Sequence, residues 1–421
     1  LAKLNSLKKP GFWLTFGDSD ISGQIQAGAP TPLQPRIDDL ANIPAPPAGS
    51  RWDGLNWPGW TPTLQNVAWP LANTMTDDVV SGIQVGGYAH SLVSSSNLAT
   101  SAPANSAARL GALPAGVIND RASACAQALE TANTVATRAS ATACLTAHVA
   151  VAASSSPAGS SVVVALARSM PPASGGSFAN ALQTLADISF ARPITLDAVL
   201  AASNTPATLA AEAESSERVS SLQQVLANQN KIVAYSPVAS EPSLVINPGA
   251  RRAAAIVSSA WLDQPSWTTG LGENVALTSE VLSSVGIVTS STINMVSGQA
   301  RIPVVIRNDL PSAVAITVHA IPSNARIEVT ENIPLTVQAN SQARAYIPVT
   351  ARVGSGNVTL KVSLTDNTGA AVGAVAELPV NVRADWETYG LLGLAVVFFG
   401  LLTAGIIRTL RRRSKKALAH E

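Results

Sequence analysis

Three carboxylates stand at or just after short apolar runs: Asp18 and Asp20 follow FWLTF, and Asp120 follows PAGVIN. The end of a strand is where a barrel-type fold gathers its reacting groups. Cleaving a glycosidic bond takes two carboxyl groups about 5 to 9.5 Å apart, one to protonate the leaving oxygen and one to attack or to activate water. Asp18, Asp20 and Asp120 are therefore the candidate catalytic residues. Helix capping is the commoner role for such acids, and it fits too, since Asp20 precedes ISGQIQ and Asp120 precedes RASACAQAL. Hydrolytic zinc needs three protein ligands and an open position. The four histidines, His90, His148, His319 and His420, are isolated along the chain, so neither a metal site nor a cofactor is predicted. No GxSxG elbow, P-loop, HExxH or Gly-rich dinucleotide fingerprint occurs.

Two further groups carry possible chemistry. The segment RWDGLNWPGW places Trp52, Trp57 and Trp60 within ten residues. Exposed, they would stack on sugar rings or anchor a partner protein; buried, they would staple a Pro- and Gly-rich loop to its domain. Cys125 and Cys144 are the chain's two cysteines. They are candidates for a disulfide in an oxidising compartment, the alternative being two buried thiols on Ala-rich helices.

The elements that must hold these residues change character along the chain. Over 1–205, short apolar runs (FWLTF, NVAWP, YAHSLV, PAGVIN, SVVVALA) alternate with helix-like stretches such as SFANALQTLADI, which predicts βα units and a degenerate (β/α) barrel-like domain. Over 206–286, SSERVSSLQQVLAN and ARRAAAIVSSAWL repeat apolar residues at helical spacing and predict a helical connector. Over 287–385 the period becomes two: Ile302, Val304 and Ile306; Val314, Ile316 and Val318; Ile347 and Val349; Val358, Leu360, Val362 and Leu364; Leu378, Val380 and Val382. That is the pattern of an Ig-like β-sandwich of about seven strands, with Asp366 to Gly369 and Gly354 to Gly356 as turns. The predicted fold class is α/β plus all-β.

From Thr388 to Ile407 the sequence is uncharged and apolar, and about 20 such residues make one bilayer crossing of roughly 30 Å. A transmembrane helix is expected over 386–408 and a basic cytoplasmic tail over 409–421. Trp386 and Tyr389 suit the headgroup level at one end, while Arg408, Arg411, Arg412, Arg413, Lys415 and Lys416 at the other predict a cytoplasmic C-terminus and an extracytoplasmic bulk. Residues 408–421 hold six Lys/Arg against one Glu, +5 of an overall +1, so residues 1–407 carry −4. Such a balance argues against nucleic acid as a partner. The chain opens at Leu1 without a signal core, although the topology demands export, so a preceding segment is expected.

The order IPVVIRNDLPSAVAITV, GSGNVTLKVSLTDNTGAAVG, VNVRADWETYG, an apolar span and an RR-rich tail resembles the DUF6049 family of actinobacterial membrane proteins. LTFGDSDISGQIQAG, VAWP, LPAGVIND and VVVALARSMPP are similar to the same family's degenerate barrel, itself distantly similar to polysaccharide deacetylases and family 57 glycosidases. The deacetylases carry Thr-Phe-Asp-Asp-Gly after their first strand. Here Thr15-Phe16-Gly17-Asp18 lacks the first aspartate, and the paired metal histidines are absent. Family members are commonly encoded beside the MurJ-type lipid II flippase. The resemblance thus implies a single-pass cell-envelope protein, a non-catalytic scaffold or binding module associated with peptidoglycan assembly. Its partners would be the lipid bilayer and envelope proteins or cell-wall glycan. A divergent carbohydrate-active hydrolase is the alternative.

Overall fold

A computed structural model describes residues 11–12, 14–33, 64, 66–99, 106–155, 159–168, 175–203, 205–210, 213–262, 264–288, 292–352, 355–383 and 386–417. The chain divides into two compact units, one of residues 1–231 and 247–278, the other of 232–246 and 279–421.

The first unit is α/β. Strands β1 (Val67–Ala68), β2 (His90–Ser94), β3 (Ala107–Leu110) and β4 (Leu113–Ile118) form one open sheet in the order β1-β2-β4-β3. β1, β2 and β4 run parallel, and β3 returns antiparallel on β4. FWLTF is no strand. Gly17 takes φ 64° and Asp18 φ 49°, and these left-handed positions turn the chain into a short 3-10 stretch, Phe16–Asp18. SVVVALA contributes one parallel bridge, Val163 to Ile118.

Helices α1 (Ile21–Gln26), α2 (Asp77–Val85), α3 (Asp120–Thr131), α4 (Val135–Ser155), α5 (Gly175–Ala186) and α6 (Leu196–Ala201) complete this part. α2 shows why these segments are helical. Thr76 caps Val79 N–H, Asp77 and Asp78 face the positive end of the dipole, and Val79, Val80 and Ile83 bury one stripe. That stripe meets Val93, Leu110, Leu113 and Val117 of the sheet. The stretch expected as a connector forms α7 (Ser216–Tyr235), α8 (Ser243–Ile256) and α9 (Trp267–Leu282), and the boundary between the units falls within these helices.

The second unit is β-sandwich-like. Its strands are β5 (Val285–Val288), β6 (Ile293–Met295), β7 (Gln299–Asn308), β8 (Val314–Pro322), β9 (Ile327–Val329), β10 (Ile333–Val337), β11 (Ser341–Ala351), β12 (Ser355–Thr365) and β13 (Ala371–Arg383). They make two sheets, β10-β8-β12-β13-β6 and β5-β7-β11-β9, whose inward side chains share one core. All the alternating apolar residues named from the sequence lie in that core. At the β12–β13 hairpin, Asp366 accepts from the N–H groups of Thr368 and Ala370 at 2.8 and 2.9 Å. Gly354 lies outside the described residues.

α10 (Trp386–Ala417) follows β13. Within it, Leu392–Thr409 is long and apolar enough to cross a membrane, and none of that window is buried by protein.

Candidate functional site

Because β1, β2 and β4 are parallel, the segments leaving their carboxyl ends collect on one rim of the sheet, where open α/β sheets place their ligands. Trp69 and Pro70 leave β1, Ser95 to Asn97 leave β2, and Asn119 and Asp120 leave β4. Arg168 arrives by the extended run that bridges to Ile118.

Asp18 and Arg168 form an ion pair at 2.8 Å, each side chain about one-fifth exposed. The other Asp18 oxygen accepts from Ser259 Oγ at 2.5 Å. Arg168 donates through Nη2 to the carbonyls of Trp69 and Pro70 at 2.6 and 2.7 Å, and its guanidinium lies 4.4 Å from the Trp69 ring centroid. This cation is fixed by a carboxylate, two carbonyls and an aromatic face, so it pins the strand-end segments together.

Asp120 sits among serines. Its Oδ2 accepts from the hydroxyls of Ser94, Ser95 (3.0 Å) and Ser96 (2.6 Å) and from Ser96 N–H (2.8 Å), while its own N–H donates to Ser95 Oγ at 3.1 Å. Ser96 Oγ also lies 2.5 Å from Asn73 Oδ1. Burial pushes the Asp120 carboxyl up, but the hydrogen bonds from Ser94, Ser96 and Ser95 outweigh it and hold it below its ordinary value. The residue that caps α3 is Asn119, which accepts from Ala122 N–H at 3.0 Å. The cap expected at Asp120 therefore belongs one position earlier, which frees the Asp120 carboxylate to bind the β2 serines.

Asp20 does cap its helix. Its Oδ1 accepts from Gly23 N–H at 2.9 Å and from Ser22 Oγ at 3.0 Å. A Cβ on Gly23 would meet Asp20 Oδ2 at 2.5 Å and Leu222 at 2.7 Å, so only glycine admits the carboxylate over that turn. The same Oδ2 pairs with Arg218 at 2.8 Å, with the Asp20 side chain fully buried. Arg218 also faces Glu214 at 3.6 Å and the Trp267 ring at 5.0 Å. Burial, with Asp20 nearby, pushes the Glu214 carboxyl up against the opposing pull of Arg218.

The three candidate acids are thus held by three different partner sets. A glycosidic general acid needs a raised pKa and a free path to its substrate. Asp120 is shifted the other way, and Asp20 is sealed. The rim is a polar surface whose charged and hydroxyl groups are bonded to one another across the strand ends.

Cys125 and Cys144 are joined as a disulfide between α3 and α4, with Cα atoms 5.7 Å apart. Trp52, Trp57 and Trp60 lie outside the described residues. Trp386, Tyr389, Arg408, Arg411, Arg412, Arg413, Lys415 and Lys416 all fall within α10. Arg168, Arg218, Trp69 and the serine triplet were not foreseen. Arg168 and Ser94 to Ser96 do end apolar runs, the criterion that singled out Asp120.

Fold and rim together define a two-unit protein, α/β and β-sandwich-like, ending in one long apolar helix. The chain belongs to a family of unknown function, DUF6049, whose model matches residues 2–417. No curated protein matches it. Among solved structures it is similar to a Salmonella alpha-2-macroglobulin reacted with methylamine, at 13% identity and TM-score 0.19. That match covers 24% of this chain and 7% of the other. SSP-19, an MSP-domain protein like family member of Caenorhabditis elegans, matches at 10% identity, 22% and 94% coverage and TM-score 0.18. A non-cellulosomal cohesin from Archaeoglobus fulgidus matches at 12% identity, 25% and 96% coverage and TM-score 0.18. Likeness at that level carries no argument about function.

Proposed function

We propose that this protein is a single-pass cell-envelope protein whose extracytoplasmic part is a non-catalytic scaffold or binding module associated with cell-wall assembly. In this reading the first unit is a degenerate barrel, the second is Ig-like, and the C-terminus is cytoplasmic. The observation that carries the non-catalytic part is the engagement of Asp18, Asp20 and Asp120 by Arg168 and Ser259, by Arg218 and Gly23, and by three serines on one Asp120 oxygen. An acid already engaged by charge-assisted donors holds a surface rigid; using it for proton transfer first costs those bonds. The unburied apolar window of α10 supports the anchor, and its basic end supports the orientation.

The test is photo-crosslinking in native membranes from a probe at Ser96 or Asn73, followed by identification of what is captured. Envelope proteins or peptidoglycan fragments are expected, and their absence, with the protein folded and abundant, would overturn the scaffold. An impermeant thiol reagent on intact cells should label Thr330→Cys and spare Ser414→Cys; the reverse pattern would overturn the orientation. The position of Asp120 at the carboxyl rim favours one second reading, a divergent carbohydrate-active hydrolase. Turnover of glycan oligosaccharides that disappears in Asp120→Asn would establish that reading instead.

A further inference from the structure

Among the described residues, one group of side chains brings metal-ligand chemistry together: Cys125 Sγ, Cys144 Sγ and a ring nitrogen of His148 all lie within 4.8 Å of one another. We propose that these residues form a redox-gated site for a borderline-soft divalent cation, with zinc the fitting ion. The inference stands apart from the rim and its proposed role.

The placement follows from the helices. Cys144 and His148 are four residues apart on α4 and so lie on the same face. Cys125 comes from α3, and the two helices are held in register by Ala122, Ala126, Leu145 and Val149. Tetrahedral zinc has bonds of about 2.3 Å to sulfur and 2.0 to 2.1 Å to nitrogen, which sets its ligand atoms roughly 3.5 to 3.8 Å apart. Parting two sulfurs whose Cα atoms are 5.7 Å apart to that spacing takes side-chain rotation, with the helices left in place. Cys125 is buried, Cys144 is exposed and His148 is half-buried, so an entry path exists on the Cys144 side. Both cysteines also line a cavity of about 370 Å³ with Thr131, Asn133, Thr137 and Ser140. His148 lies outside that lining, and a water entering from the cavity beside the two sulfurs would supply the fourth ligand. Two thiolates, one imidazole and an open position make a donor set suited to zinc.

The gate is the disulfide. While the sulfurs are bonded to each other neither is a thiolate, and the thiolate is the ligand. A dithiol reductant supplies two electrons and two protons; the S–S bond breaks, both cysteines become thiols, and the reductant closes its own disulfide. The cation then takes both thiolates, releasing the two protons.

The test uses the full chain in detergent, cobalt(II) as the spectroscopic probe and a phosphine as reductant. The reduced protein should bind one equivalent, with thiolate-to-cobalt charge-transfer absorption and tetrahedral d–d bands that zinc abolishes. His148→Ala should weaken cobalt affinity at least about tenfold, and Cys144→Ser should remove the charge-transfer band. The oxidised protein should remain silent. A silent reduced protein, a His148→Ala variant that titrates like the parent, or the same bands in the oxidised protein would each overturn the site. If reduction alone unfolds α3 and α4, zinc should restore their circular dichroism in the parent and fail to do so in His148→Ala. Failure to restore it in the parent would equally overturn the proposal.

Discussion

In the β-sandwich-like unit, β7, β8, β11, β12 and β13 place Ile, Val and Leu inward at every second position, and one core joins both sheets. In the α/β unit the polar rim is held by residues far apart in the chain: Asp18 reaches Arg168 across 150 positions and Ser259 across 241, and Asp20 reaches Arg218 across 198. The sandwich distributes its stability over many interchangeable apolar contacts. The rim concentrates its stability in a few charged bonds, each with one acceptable partner, so substitutions should separate the two regions sharply.

The largest effect is expected at Arg218→Ala, which leaves Asp20 buried without its counter-ion and should cost about 3–5 kcal/mol. Hydrogen exchange should accelerate first in α1 and α7; equal acceleration throughout β12 would break the comparison. Leu360→Ala, at a fully buried position on β12, should cost about 3 kcal/mol in denaturant unfolding, with exchange rising in β8, β12 and β13.

Asp120→Asn should cost about 1–2 kcal/mol, because three hydroxyls and an N–H lose a charged acceptor. Asp120 has a lowered pKa in the folded protein, so its contribution is present above its unfolded value near 3.8 and is lost as pH falls below it. The variant should lose that part of the acid sensitivity. An unchanged acid limb in the stability profile would count against the serine cluster.

The smallest effect is expected at Glu214→Gln, a gain under about 1 kcal/mol at neutral pH. The folded pKa of Glu214 is raised, so its stabilising contribution is complete below its ordinary 4.5 and fades as pH rises through the folded value. Parent and variant should therefore converge in acid, and a difference that persists there would show that the two carboxylates do not compete for Arg218.

The same contrast explains what could be read from the sequence. Period-two alternation is a local signal, so the inward faces of the longer strands β7, β8, β11, β12 and β13 were legible residue by residue, while the shorter β5, β6, β9 and β10 were not. Among the described residues of 1–205 the strands are only two to six residues long. There the left-handed Gly17 turns the chain into a 3-10 stretch at the end of an expected strand. Strand-end position singled out Asp18, Asp20 and Asp120, but no local rule couples Asp18 to an arginine 150 residues away. The closeness of His148 to Cys144 was legible, because a four-residue spacing sets both on one helix face; its closeness to Cys125 depends on how two helices pack.

One feature of the sandwich has a mechanical side. β13 precedes α10 in the chain, and it is an interior strand, paired along ten positions with β12 and flanked by β6. Tension drawn along the chain at Arg383 therefore loads the β12–β13 ladder lengthwise, in shear, and its hydrogen bonds resist together. An edge strand at the same place would peel one bond at a time. Gly373, where φ is 67° and a Cβ would come within 2.6 Å of the Val285 carbonyl, fixes the far end of that strand against β5.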